Sequence, residues 1–112
     1  MANGKYTIQI VFDRFPQLAR EYPERASEVV RKAAYEIENR AKDAAPVDTG
    51  NLRNSIRTEM AADGLSAVVG THVEYAIYQE YGTYKMAAHP YMRPAADAVR
   101  PSFIKAVEDA LK

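Results

Sequence analysis

The chain has no cysteine among its 112 residues. That excludes disulfides, thiolate nucleophiles and any zinc or iron–sulfur site that needs a cysteine ligand. It also has no excess of either charge. Residues 1–48 carry eight basic and eight acidic groups, and residues 49–112 carry seven of each. A protein that grips duplex DNA does so largely by neutralising phosphates, so this even balance argues against specific nucleic-acid binding. No apolar run approaches the roughly 20 residues of a membrane-crossing helix. The opening segment MANGKYTIQIVF lacks the charged-then-apolar layout of a secretory signal, which predicts a chain kept in the cytoplasm. Linker-like tracts, internal repeats and low-complexity segments are also missing. The expectation is one domain over residues 1–112, of a size that buries about two thirds of its unfolded surface.

Hydrophobic patterning then predicts the elements. Lys5 to Phe12 alternates with period two and β-branched residues, which reads as a strand. Asp13 to Pro23 is a proline-bounded connection with one helical turn around Leu18. Glu24 to Ala45 is the longest element. Ala26, Val29, Val30, Ala33, Ala34, Ile37, Ala41 and Ala44 recur at helical spacing, and Glu28–Lys32 and Glu36–Arg40 are i,i+4 pairs on the opposite face. An alanine-rich face lets such a helix lie close across a sheet, and Pro46 ends it. Val47 to Ile56 begins as a turn. Ser55–Met60 and Leu65–Thr71 read as a hairpin around Asp63-Gly64. Pro94 suits the first turn of a closing helix with Ala96, Val99, Phe103, Val107 and Ala110 on its apolar face, and Pro101 should kink or split it. The fold class is therefore α+β: a small antiparallel sheet, made of the N-terminal strand and the hairpin, packed by a long N-terminal helix, a short aromatic helix and a C-terminal helix.

The stretch Glu74–Pro94 concentrates five of the eight tyrosines. Tyr75, Tyr78, Tyr81 and Tyr84 recur every third residue, a slowly drifting stripe on a short helix that Gly82 terminates. The loop beyond it carries Lys85, Met86, His89 and Tyr91 between proline anchors. Tyrosine is enriched at protein interfaces. A split role is expected, with Tyr75 and Tyr78 inward and Tyr84 and Tyr91 toward a partner.

Other motifs weigh less. Asp48-Thr49-Gly50 is the triplet of retroviral-type aspartic proteases, homodimers in which two close carboxylates share a proton. That family is nearly all-β, whereas here the triplet follows a long helix, and a structural capping turn is the simpler account. The protease is retained as the alternative function. His72 and His89 could share a metal with Glu74 or Glu80, but two histidines far apart in sequence more simply end a strand and precede a proline. Arg53, Arg57, Lys85 and Arg93 could form a basic patch, although such residues are more often a solvated face. No catalytic residue, metal or cofactor is expected.

Three blocks, taken together and in order, resemble one family. They are Ala45-Pro46-Val47-Asp48-Thr49-Gly50-Asn51-Leu52-Arg53-Asn54-Ser55-Ile56, then Tyr75-Ala76 with Gln79-Glu80-Tyr81-Gly82-Thr83, then His89-Pro90-Tyr91-Met92-Arg93-Pro94-Ala95. They resemble the tail-completion, or gene-product-ten-like neck, proteins of long-tailed bacteriophages and prophages. The motif residues are Pro46, Asp48, Thr49, Gly50, Leu52 and Ser55 in the first block, Tyr75, Ala76, Glu80, Tyr81, Gly82 and Thr83 in the second, and Pro90, Tyr91 and Pro94 in the third. The resemblance implies a non-enzymatic virion protein that completes the tail and joins it to the head. It implies a six-fold ring formed on assembly from subunits that are monomeric before it. Tail-tube, tail-terminator and head-connector proteins would be the partners, and the host cytoplasm the place of assembly. Tyr84, Lys85, Met86, His89 and Tyr91 are the candidate contacts, with the hairpin Ser55–Thr71 as the second patch a ring requires.

Overall fold

The computed structural model describes residues 8–12, 16–45, 51–85 and 87–112, and of residues 8–12 and Asn51 the backbone alone. The element order is β1 (Ile8–Phe12), α1 (Pro16–Glu21), α2 (Pro23–Ala44), α3 (Asn51–Ser55), β2 (Arg57–Met60), β3 (Ala67–Thr71), α4 (Ala76–Tyr81) and α5 (Met92–Ala110). This is the expected α+β arrangement.

The three strands form an antiparallel sheet in the order β1-β3-β2. β3 is central, with Val69 opposite Ile10 on one side and Thr58 on the other. Each of its five residues is buried. Helix α2 packs on β2 and β3, on α1 and on α5. It can do so because Ala26, Ala33, Ala34 and Ala41 keep its buried face thin, while Val30 and Ile37 fill the interior. Fully burying each of those two contributes about 1.5–3 kcal/mol. Ala44, expected on this face, is exposed, although Ala41 and Ala45 on either side of it are buried. Of the two expected ion pairs, Glu36–Arg40 forms at 3.3 Å on the solvent side, while Glu28 and Lys32, both among the described residues, do not pair.

Three helix ends are tied to other elements by charged side chains of the sign the helix dipole favours. Arg53 Nε donates to the carbonyl of Lys42, in the last turn of α2, at 2.9 Å. An Arg25 guanidinium nitrogen donates to the carbonyl of Ala110, at the end of α5, at 2.8 Å. The third tie, at the start of α5, belongs to the site below. Arg53 is thus a helix clamp and not a member of a basic patch.

Four expectations need adjusting. The segment before β2 is a short helix, α3, so Ser55 closes a helix instead of opening a strand. The physical reason is that Leu52 and Ile56, both buried, sit four apart, and the Ser55 hydroxyl donates back to the Leu52 carbonyl at 2.7 Å. β3 correspondingly begins at Ala67 and not at Leu65, because Asp63 and Gly64 draw Leu65 into the turn. The Leu65 N–H donates to Asp63 Oδ1 at 2.9 Å and Gly64 sits at φ +73°. α1 is longer than one turn, with Leu18 buried at its centre. Finally, α5 runs unbroken through Pro101. Packing of Val99, Phe103 and Val107 on both sides of the proline offsets the lost hydrogen bond, a cost of about 3 kcal/mol in an unsupported helix. Among the described residues no helix is long and apolar enough to cross a membrane.

Candidate functional site

Helix α4 begins after Tyr75 and ends at Gly82, whose N–H donates to the Tyr78 carbonyl at 2.7 Å. Gly82 adopts φ +77° and ψ 178°. That region is open essentially to glycine alone, and it turns the chain outward after a single short helix. The helix has two unlike faces. Ala76 and Glu80 are buried, and Tyr75 packs partly against the core. Ile77, Tyr78, Tyr81 and Tyr84 face solvent, at 39, 53, 65 and 93% exposure.

The tyrosine stripe therefore divides differently from expectation. A step of three residues rotates about 60° backward around a helix, so the row leaves the core after Tyr75, and Tyr78 already faces water. Tyr91, expected to face a partner, is fully buried. Its hydroxyl donates to the Ala76 carbonyl at 3.4 Å. Burial, and next the nearby charge of Glu80, push its phenol well above the ordinary tyrosine range, so it remains a neutral donor.

Glu80 explains why Tyr91 is drawn inward. Its Oε1 accepts from the backbone N–H of Tyr91 at 3.1 Å and of Met92 at 2.9 Å, and its Oε2 accepts from Arg93 at 3.0 Å. These are N–H groups that open α5 and have no intrahelical partner. Tyr91 itself supplies no side-chain cap. One carboxylate from α4 thus caps α5 from outside, where the dipole favours negative charge. The His89 N–H adds a bond to the Gln79 carbonyl at 2.7 Å. The described residues between Gly82 and Pro90 consequently belong to a loop closed at its base. At its tip the Lys85 ammonium lies 5.4 Å from the centre of the Tyr84 ring, and the Lys85 N–H donates to Thr83 Oγ1 at 3.2 Å. Lys85, His89 and Pro90 are exposed, as are Arg93 and Pro94 in the first turn of α5.

A second tie supports α4 from the sheet. With its proton committed to the Leu52 carbonyl, Ser55 Oγ accepts from the buried hydroxyl of Thr71, whose oxygen in turn accepts the Val73 N–H at 3.2 Å. This relay joins the end of α3, the end of β3 and the approach to α4. Leu52 is buried beneath it.

The motif residues thus fall into two groups. Leu52, Ser55, Tyr75, Ala76, Glu80, Gly82 and Tyr91 build the scaffold, while Tyr81, Thr83, Pro90 and Pro94 are exposed on it. Pro46, Asp48, Thr49, Gly50 and Met86 lie outside the described residues. The scaffold role of Glu80 escaped the sequence reading, because its partners lie 11 to 13 residues away. Both of its oxygens are occupied by backbone donors, so it is not poised as a metal ligand or a base. Among the described residues no group of three or more His, Asp or Glu is placed to hold a metal ion. What the surface offers is a row of exposed aromatic side chains on a tied-down support.

Among known protein families, a model described as "Bacteriophage HK97-gp10, putative tail-component" matches residues 12–82, more than half of the chain. The matched span contains the first block and the second as far as Gly82, and it ends before the third. No curated protein and no solved structure matches the chain.

Proposed function

Because the chain belongs to the HK97-gp10-like family of bacteriophage tail components, we propose that it completes the tail and joins it to the head, as a ring of identical subunits at that junction. The observation that carries the proposal is the solvent-facing row of Ile77, Tyr78, Tyr81 and Tyr84. A contiguous exposed apolar surface on a small protein marks a contact with another macromolecule. The zero net charge suits a ring that lets DNA slide past without gripping it. A closed ring, six-fold as the family resemblance implies, needs two different patches on each subunit. The loop carrying Tyr84, Lys85 and His89 is one of them. Subunits are monomers in the host cytoplasm and assemble on the tail end, between tail-tube or tail-terminator proteins and the head connector.

In this reading Asp48 has a structural role in its turn and no part in proteolysis. The test is head–tail joining in vitro. Tails lacking the chain, mixed with heads and purified protein, are expected to yield infectious particles. Asp48→Asn is expected to join as well as the parent, having lost at most a cap worth about 1 kcal/mol. Joining by the parent but not by Asp48→Asn, together with cleavage of a virion protein by the parent alone, would return the dimeric protease.

A further inference from the structure

We propose that the Tyr84–Lys85 tip of one subunit docks into the groove between α2 and α5 of the next. The inference rests on the self-associating tail reading and names the receiving surface within it. The tip has the form of an inserting element. Tyr84 is the most exposed of the large hydrophobic side chains described, at 93%, and Lys85 lies against its ring. The loop base is held by the His89–Gln79 bond and by Glu80, which shortens the segment that docking must order.

The groove matches it in shape and charge. It is a cleft of about 430 Å³ with an apolar floor of Val29, Phe103 and Ala106. Its rim carries three carboxylates, Glu28, Glu36 and Asp109, against one base, Lys32. The partners of Glu36 and Asp109 are Arg40 at 3.3 Å and Lys112 at 3.7 Å, exposed pairs that exchange readily for another cation. Glu28 has no ion-pair partner among the described residues. A phenol ring on the floor leaves the adjacent ammonium at the acidic rim. The competing acceptor, the outer edge of β2 in the described sheet, is only four residues long, with one base, Arg57, and one acid, Glu59, against the three carboxylates of the groove. The tip and the groove share no residue, as a head-to-tail contact requires.

The absence of cysteine makes a clean test possible. Two single variants, Thr83→Cys, exposed beside the intact Tyr84–Lys85 tip, and Ala106→Cys, are incorporated into particles separately and as an equal mixture, then treated with a short bis-maleimide. The expected result is a cross-linked dimer of this chain in the mixture and in neither variant alone. Particles that contain both variants but no such dimer overturn the docking and leave the tail role standing. A cross-link from the Thr83→Cys variant to a different virion protein also overturns it, by assigning the tip another occupant. Absence of the parent chain from particles overturns the tail reading itself, and this inference with it. Lys85→Glu should lower incorporation of the chain, and Glu28→Lys in the same chain should restore it. Loss without restoration counts against the rim contact.

Discussion

At the scale of single residues, the account turns on Glu80. Three backbone N–H groups converge on its carboxylate, and no other described side chain caps the start of α5. Glu80→Ala leaves two buried donors and one part-buried donor unpaired, and urea titration should show a loss of roughly 3–5 kcal/mol. Glu80→Gln keeps one acceptor oxygen and gives up the charge, so its loss should be smaller. Equal stability of all three proteins would mean that the cap contributes nothing. Glu38 supplies a pH signature. Burial opposes its ionisation, but hydrogen bonds from Thr58 and the hydrogen bond and charge of Lys42 outweigh it, so the carboxyl titrates below its ordinary value. The group therefore adds stability in full above the unfolded glutamate value, about 4.3, and this is lost as pH falls through the lowered folded value. Glu38→Gln should remove that part of the acid limb, and an unchanged limb in urea midpoints measured from pH 6 to pH 3 would contradict it.

At the scale of elements, legibility followed the range of the deciding interaction. Helix α2 was readable because its alanines repeat within the helix, and the hairpin because Asp63-Gly64 imposes a turn locally. Helix α3 was obscured because Ile56 fits two periods at once, four residues from Leu52 and two from Thr58. The inward turn of Tyr91 depends on a carboxylate 11 residues earlier, which no local pattern encodes. Pro101 would break a solitary helix, yet contacts with α2 hold α5 together. The hairpin turn also shows tertiary constraint. Gly64 has φ +73°, and a Cβ there would stand 2.5 Å from Ser27 Oγ on α2. Gly64→Ala should cost roughly 1–3 kcal/mol from the backbone alone. Adding Ser27→Ala to it should recover part of the loss if the contact matters, and no recovery would assign the whole cost to φ.

At the scale of the whole molecule, scaffold and surface separate. The Glu80 carboxylate and the Ser55–Thr71 relay hold α4 against α5 and the sheet, and the outer face of α4 carries the exposed aromatic groups. The fold class was legible from order and periodicity, and the density of tyrosine singled out the segment proposed here as the contact surface. Which tyrosines face outward was not, because that depends on the orientation of α4 against its neighbours. This division makes the central claim testable with little risk to folding. Tyr78 and Tyr81 are more than half exposed, so Tyr78→Ser with Tyr81→Ser should leave the urea midpoint nearly unchanged. The decisive measurement is head–tail joining by this double variant, using tails that lack the chain. Retained folding with joining lost is the predicted result. Joining at the parent level would show that the aromatic face of α4 is not the surface through which the protein works.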